Sequence, residues 1–455
     1  MKLASPLLLF ACAMLPVITT AQQSPARAGQ TAPLPAVLYT ATPVYESVAA
    51  LRGGERFPRG AQLMLLRSGH AAPFVTGFAA TADASISFDG KTVLFAGKQN
   101  GGDPWQIWIA AIDGGVPHRV LFAPTDLIRP LWLPAGRIVY ARRTPEGFAL
   151  ETAALDGSAV QKVSFVPGNF IPDDVLRDGR ILFESGFPLG SGTTPELYLM
   201  YADGSGVESV RCDHGSARAH GREVRSGDIV FTHGQKLGRF TSALANEAPI
   251  AAPVAEYAGD IAELNDGRWM VSVRKLGAKH FAIAVLKPGA PVATTVLSEP
   301  SRDLVEPVLV AARDTPKHHP TALHNWATGN LLALNARLSR SGNLAAAPVS
   351  VRAEGLGAEG QVMDLGTAPV ESDGSFFIQA AGDRPLRFIL LDAQGRTLRQ
   401  EHGWFWIRQG EQRICVGCHT GPERAPDNRV PQVLLRTTTP VAMTGNPGGA
   451  AAGGH

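Results

Sequence analysis

Asp89-Gly90-Lys91-Thr92-Val93-Leu94-Phe95 joins a turn dipeptide to a run of β-branched and apolar residues, and the same phrase recurs along the chain. It returns as Ala135-Gly136-Arg137-Ile138-Val139-Tyr140, Asp178-Gly179-Arg180-Ile181-Leu182-Phe183, Ser226-Gly227-Asp228-Ile229-Val230-Phe231 and Asp266-Gly267-Arg268-Trp269-Met270-Val271. The glycines of these copies are 46, 43, 48 and 40 residues apart. A second strand and turn recurs between them: Ile107 to Ile112 into Asp113-Gly114, Leu150 to Leu155 into Asp156-Gly157, and Leu197 to Ala202 into Asp203-Gly204. Asp-Gly pairs supply the positive φ of tight hairpins, and the flanking residues suit paired strands. A unit of about 40–45 residues has the length of a four-stranded propeller blade, which buries both faces only by stacking on neighbours around a ring. Gln62 to Arg67 and Glu306 to Ala312 are placed to supply a sixth blade from both ends of the ring. An all-β propeller of six blades, with seven as the alternative, is therefore expected over residues 22–315. The three-to-four periodicity of amphipathic helices is absent.

Ser87-Phe88-Asp89-Gly90-Lys91 and Tyr201-Ala202-Asp203-Gly204-Ser205 resemble the TolB-like propeller repeat. That resemblance implies a fold and no activity, since propellers host enzymes and passive scaffolds alike.

With 455 residues, 45% of them hydrophobic and 18% charged, the chain can bury two cores and is neither disordered nor membrane-spanning throughout. A net charge of +2 without a basic stripe gives no sign of a nucleic-acid partner. Pro316-Lys317-His318-His319-Pro320 marks a boundary. Beyond it, Leu331 to Leu334, Val349 to Val351, Glu371 to Ile378 and Arg387 to Asp392 read as strands of a small β-sandwich over residues 316–436. From Thr437 the composition in Gly, Ala, Thr and Pro predicts a disordered tail over residues 437–455.

Cys415-Val416-Gly417-Cys418-His419 follows the sandwich. Two cysteines three positions apart, with a histidine directly after the second, form the attachment pattern of a c-type haem. Cys415 and Cys418 would bind one haem c covalently, and His419 would supply the proximal iron ligand. A structural zinc would need a second knuckle of Cys or His, and none is present. A thioredoxin-type pair would stand at a strand-to-helix junction, whereas Gly421, Pro422 and Pro426 interrupt any long helix. A plain disulfide leaves His419 unexplained.

Glu371 to Ile378, Leu386 to Arg396, Gly410-Glu411-Gln412-Arg413 and Cys415 to His419, trailed by Ala425-Pro426-Asp427-Asn428-Arg429, resemble the middle domain of the hydrazine synthase alpha subunit family. The resemblance covers about 110 residues, and the order of propeller and sandwich agrees with it. The chain carries one haem motif and not the further haem-bearing domain of the synthase subunit, so hydrazine synthesis itself is not expected.

The second axial position separates an electron carrier from an open catalytic iron. His402 is the nearest candidate in sequence, and an ordinary surface histidine is the alternative. Met363 and Met443 are further candidates, and His318, His319 and His324 reach the iron only if the linker folds back. Trp404, Phe405 and Trp406 would alternate sides on a strand, so that one face covers the porphyrin or packs in the core. Arg408, Arg413 and Arg424 are placed to meet haem propionates or solvent. Cys212 with Asp213, His214 and His220 forms a loose cluster without a known zinc spacing.

Lys2, the apolar run Leu7 to Ile18, and Thr19-Thr20-Ala21 read as a signal peptide over residues 1–21. Leu9-Phe10-Ala11-Cys12 resembles a lipobox, but Phe10 is bulky there and the apolar run continues past Cys12. The expected product is a periplasmic or secreted protein with no transmembrane segment in its mature form. The sequence thus points to an exported monohaem c-type cytochrome-like protein in electron transfer or small-molecule redox chemistry, with an unidentified redox partner or substrate. The alternative is a propeller-based binding or scaffold protein whose haem is structural or sensory.

Overall fold

Alternation of apolar residues between Asp-Gly turns builds six four-stranded antiparallel sheets in succession. The computed structural model describes residues 34–445, apart from 187, 191, 212–214, 243–244, 340–342, 358 and 419–426. The expected signal peptide at 1–21, Cys12, the Cys212-Asp213-His214 stretch, His419, Arg424 and residues 446–455 thus lie outside the described residues. The turns work through their aspartates as well as their glycines. Asp89 Oδ1 accepts from the amide of Lys91 at 3.1 Å, Asp178 Oδ1 from that of Arg180 at 3.0 Å, and Asp203 Oδ1 from that of Ser205 at 2.9 Å. Gly179 has φ +90°, and a Cβ there would collide with the carbonyl of Lys317.

Each sheet packs on its successor and the sixth packs on the first, which gives the closed ring of a propeller. Closure comes from both ends of the ring, as the sequence suggests. Asp303–Leu309 pairs antiparallel with Val37–Thr42, which in turn pairs with Gln62–Arg67. The innermost strand of every sheet carries a register shift: near Asp83, Arg129, Asp173, His220, Asp260 and Glu306. Such bulges re-aim a side chain. All six of these polar residues are buried, and Arg129 of the third sheet reaches Asp260 of the sixth at 2.9 Å. They meet on the axis of the ring.

The remaining two sheets form the sandwich. One orders Gln412–Cys415, Thr328–Ala333, Phe376–Ala381 and Val441–Met443; the other orders Val362–Pro369, Ser350–Leu356, Leu386–Leu391 and Thr397–Gln400. Leu331, Ala333, Val351, Ala353, Phe376, Ile378, Phe388 and Leu390 fill the space between them. Disorder from Thr437 is corrected here: Val441–Met443 pairs in parallel with Ile378–Ala380, and Met443 is buried in the sandwich core. The apolar triplet is short enough to vanish in the average composition, yet it completes a sheet edge that would otherwise stay open.

From Pro35 onward propeller and sandwich belong to one compact unit. The connecting segment runs along the turn end of the propeller. Arg313 donates to the carbonyl of Phe88 at 2.8 Å, Lys317 to that of Arg177 at 3.0 Å, and Thr321 Oγ1 to Asp203 Oδ2 at 2.7 Å. The His319 ring also bonds the carbonyl of Asp178. Among the described residues no helix is long and apolar enough to cross a membrane.

Candidate functional site

Cys415 closes the edge strand Gln412–Cys415, which pairs in parallel with Thr328–Ala333. That pairing fixes the start of the motif against the rigid face of the sandwich. Cys415 and Cys418 are free thiols, half-buried, and both pack on the sandwich core. Burial pushes both thiols up, Cys418 well above the ordinary thiol value. A dithiol oxidoreductase needs a ready thiolate, so this environment argues against a thioredoxin-type pair. No helix follows Cys415 among the described residues up to Cys418.

The two thiols line a cavity of about 890 Å³ between sandwich and propeller. Its volume falls in the roughly 300–1,000 Å³ range of cofactor and ligand sites. The sandwich contributes Leu331, Ala333, Phe376, Phe388, Trp404 and Phe405; the fourth propeller sheet and its loops contribute Leu189, Tyr198, Tyr201 and Val207; the linker contributes His319 and Leu323. These apolar and aromatic walls, with two free thiols on one side, fit the flat hydrophobic body of a porphyrin. Arg180 and Arg413 supply cationic groups on the lining. Arg180 already pairs with Asp178 at 2.8 Å and Glu208 at 2.9 Å. Arg413 donates to the carbonyls of Trp406 and Val207.

The structure separates the candidates named from the sequence. His402 is exposed and lines the cavity, and His319 reaches it because the linker does fold over the propeller. His318 and His324 do not line it; His324 stacks on Trp326 instead, 4.5 Å between ring centres. Met363 is exposed on the outer strand Val362–Pro369 and Met443 is held in the core, so neither thioether faces the cavity. Arg408 is likewise absent from the lining: it is buried, bonds Asp383 at 2.6 Å and lies over Phe165 of the propeller at 4.8 Å.

The aromatic triplet divides its work. Trp404 and Phe405 line the cavity, with Arg387 over Trp404 at 4.5 Å and Phe388 against Phe405 at 5.3 Å. Trp406 turns the other way. It is fully buried in the propeller core, edge-on to Phe165 and Phe170, and its indole N–H donates to the carbonyl of Gly204 at 2.8 Å. Glu411 fixes the same joint by accepting from the amide of Gly206 at 3.0 Å and from that of Arg408 at 2.7 Å. Strand alternation does not describe this stretch, because Trp404–Phe405–Trp406 crosses the joint between the two folds and serves both.

His220 has neighbours that the sequence cluster did not include. It sits on the propeller axis beside Asp173 and Glu184, both buried.

Residues 346–420 match the family model "Hydrazine synthase alpha subunit middle domain". Among solved structures, Kuenenia stuttgartiensis hydrazine synthase superposes with a TM-score of 0.74 at 18% identity, covering 89% of this chain and 71% of that chain. At that identity the likeness is one of fold. TolB from Acinetobacter baumannii matches with a TM-score of 0.47 at 13% identity, covering 61% of this chain and 67% of its own. No curated protein matches the chain.

Proposed function

We propose that this chain, whose residues 346–420 match the hydrazine synthase alpha subunit middle-domain model, is an exported monohaem c-type cytochrome-like protein working in electron transfer or small-molecule redox chemistry. The observation that carries the reading is the aromatic cavity of about 890 Å³ with Cys415 and Cys418 on its wall. In this reading the two thiols hold one haem c, His419 supplies the proximal nitrogen, and the bound group supplies one-electron chemistry at iron. Trp404, Phe405 and Phe388 cover the ring, and Arg180 and Arg413 offer charge to its carboxylates. The fourth propeller sheet forms the far wall, excludes water and limits what can approach. His402 is the candidate for the second axial position. Hydrazine synthesis is not part of the proposal.

The export signal at residues 1–21 and a periplasmic or secreted location belong to the same proposal. In bacteria c-type haem is attached outside the inner membrane, so an export signal agrees with the haem motif.

The first test is expression with a c-type maturation apparatus. A coloured protein that keeps peroxidase-type staining on a denaturing gel supports the reading, and a colourless one ends it. The second concerns the open position. Neither methionine candidate faces the cavity and His402 is exposed, so the dithionite-reduced protein is expected to take up carbon monoxide with a shift of its Soret band. An unchanged spectrum would assign a strong sixth ligand and the electron-carrier role, and His402→Ala would then have to restore the shift if His402 is that ligand.

A further inference from the structure

The axis of the propeller gathers more negative charge than it neutralises. Asp83, Asp173, Glu184, Asp260 and Glu306 are buried there against Arg56 and Arg129. Arg56 meets Asp83 at 2.6 Å and also contacts Glu306; Arg129 meets Asp260 at 2.9 Å and Asp173 at 3.4 Å. Arg222 reaches Asp260 at 3.7 Å while pairing with Asp174 at 3.2 Å. With Asp174 counted beside its partner Arg222, six carboxyl groups face three guanidinium groups in a region of low dielectric.

Beside this surplus stands an unpartnered base. His220 is 3% exposed, and neither of its ring nitrogens has a hydrogen-bond partner among the described residues. Its Nδ1 lies 4.0 Å from Asp260 Oδ1, beyond hydrogen-bond range, and both oxygens of Asp260 are engaged by Arg129. A buried imidazole with both nitrogens idle is costly unless another species bonds it.

We propose that Asp173, Glu184 and His220 bind one divalent transition-metal cation, Zn²⁺ or Mn²⁺, on the propeller axis. One ligand atom from each lies within 4.8 Å of the other two. Donors about 2.0–2.1 Å from a tetrahedral ion stand about 3.4 Å apart, so modest side-chain rotation closes the site. Two carboxylates and an imidazole form a nitrogen and oxygen set without sulfur. The imidazole selects against calcium and magnesium, and the carboxylates accept zinc or manganese. A divalent cation answers this excess of acid groups over guanidiniums.

The ligands are also oriented in advance. The amide of Gly221 donates to Asp173 Oδ2 at 3.0 Å and that of His220 to Glu184 Oε2 at 3.3 Å, so backbone of the fifth sheet aims carboxylates of the fourth. The ion therefore ties the fourth and fifth sheets together at the axis, on the sheet whose loops wall the cavity.

The experiment is metal analysis of the full-length protein, with haem iron counted separately by its pyridine haemochrome. After desalting from medium supplemented with ZnCl₂ and MnCl₂, about one equivalent of non-haem zinc or manganese per chain is expected. His220→Gln and Asp173→Asn are each expected to lower this at least about tenfold, while Cys212→Ser leaves it unchanged. Stripping with dipicolinate should lower the melting temperature of the wild type and not that of His220→Gln. The proposal is overturned if the wild type neither retains nor takes up either ion, or if the equivalent survives in His220→Gln, whatever Cys212→Ser does. Because the wild-type measurement alone can overturn it, misfolding of a variant does not protect it.

Discussion

Cys415→Ala/Cys418→Ala, made alongside the same maturation apparatus, is expected to give a folded, colourless protein without peroxidase staining. Loss of covalently bound haem should be complete, because the proposed attachment uses these two thiols alone and non-covalent haem is stripped by the denaturing gel. Either single variant should retain one linkage, stain weakly and show a displaced α band. Both thiols pack at the rim of the sandwich core, so each truncation costs about 1 kcal/mol, too little to unfold the domain. Circular dichroism melting of the double variant separates loss of cofactor from loss of fold. A double variant that still carries haem through acid-acetone extraction would place attachment elsewhere. Wild-type protein with no haem at all would leave the cavity without its proposed occupant.

The same cysteines show where the sequence is readable and where it is not. A turn glycine followed by apolar residues is local chemistry, so five hairpins are legible from it directly, while the sheet closed by Asp303–Leu309 and Val37–Thr42 joins distant ends of the chain and left seven blades as the alternative. The axial cluster was also written into the repeat, though less visibly. Asp83, Arg129, His220 and Asp260 each stand seven residues before a turn glycine, namely Gly90, Gly136, Gly227 and Gly267. Mixed charge hides the series, since acid, base and imidazole occupy equivalent places and only the bulge that turns each one inward makes them alike. Glu184 has no such signal, coming from the second strand of its sheet. The cavity needed the fold. Tyr198, Tyr201 and His319 are far from the cysteines in sequence, and only the return of the linker across the turn end of the propeller brings them there. Val441–Met443 failed for the opposite reason: composition averaged over the tail conceals three residues whose pairing depends on a strand some sixty positions earlier.

Trp406→Ala is expected to be the most damaging single truncation at the joint between sandwich and propeller. The side chain is fully buried, touches Phe165 and Phe170 of the propeller, and gives its indole proton to the carbonyl of Gly204. Removing a buried tryptophan costs about 3–5 kcal/mol, and here an unsatisfied carbonyl remains at a turn with little room to adjust. Gly204 has φ +83° and sits so close to Val163 that a Cβ would lie 2.6 Å from the Val163 carbonyl oxygen. The turn therefore cannot swing to find another donor. Spread over a unit of this size, the loss corresponds to a melting temperature lower by about 3–6 °C in calorimetry. A second readout follows from the position of the cavity, whose far wall is the fourth propeller sheet. Loosening the joint opens that wall, so carbon monoxide should bind the reduced variant faster than the wild type. Trp404→Ala gives the contrast: Trp404 lines the cavity and is only half-buried, so its loss should move the haem spectrum more than the melting temperature. If Trp406→Ala melts like the wild type and binds carbon monoxide at the same rate, then the tryptophan does not clamp the two folds and the cavity wall is held by the linker alone.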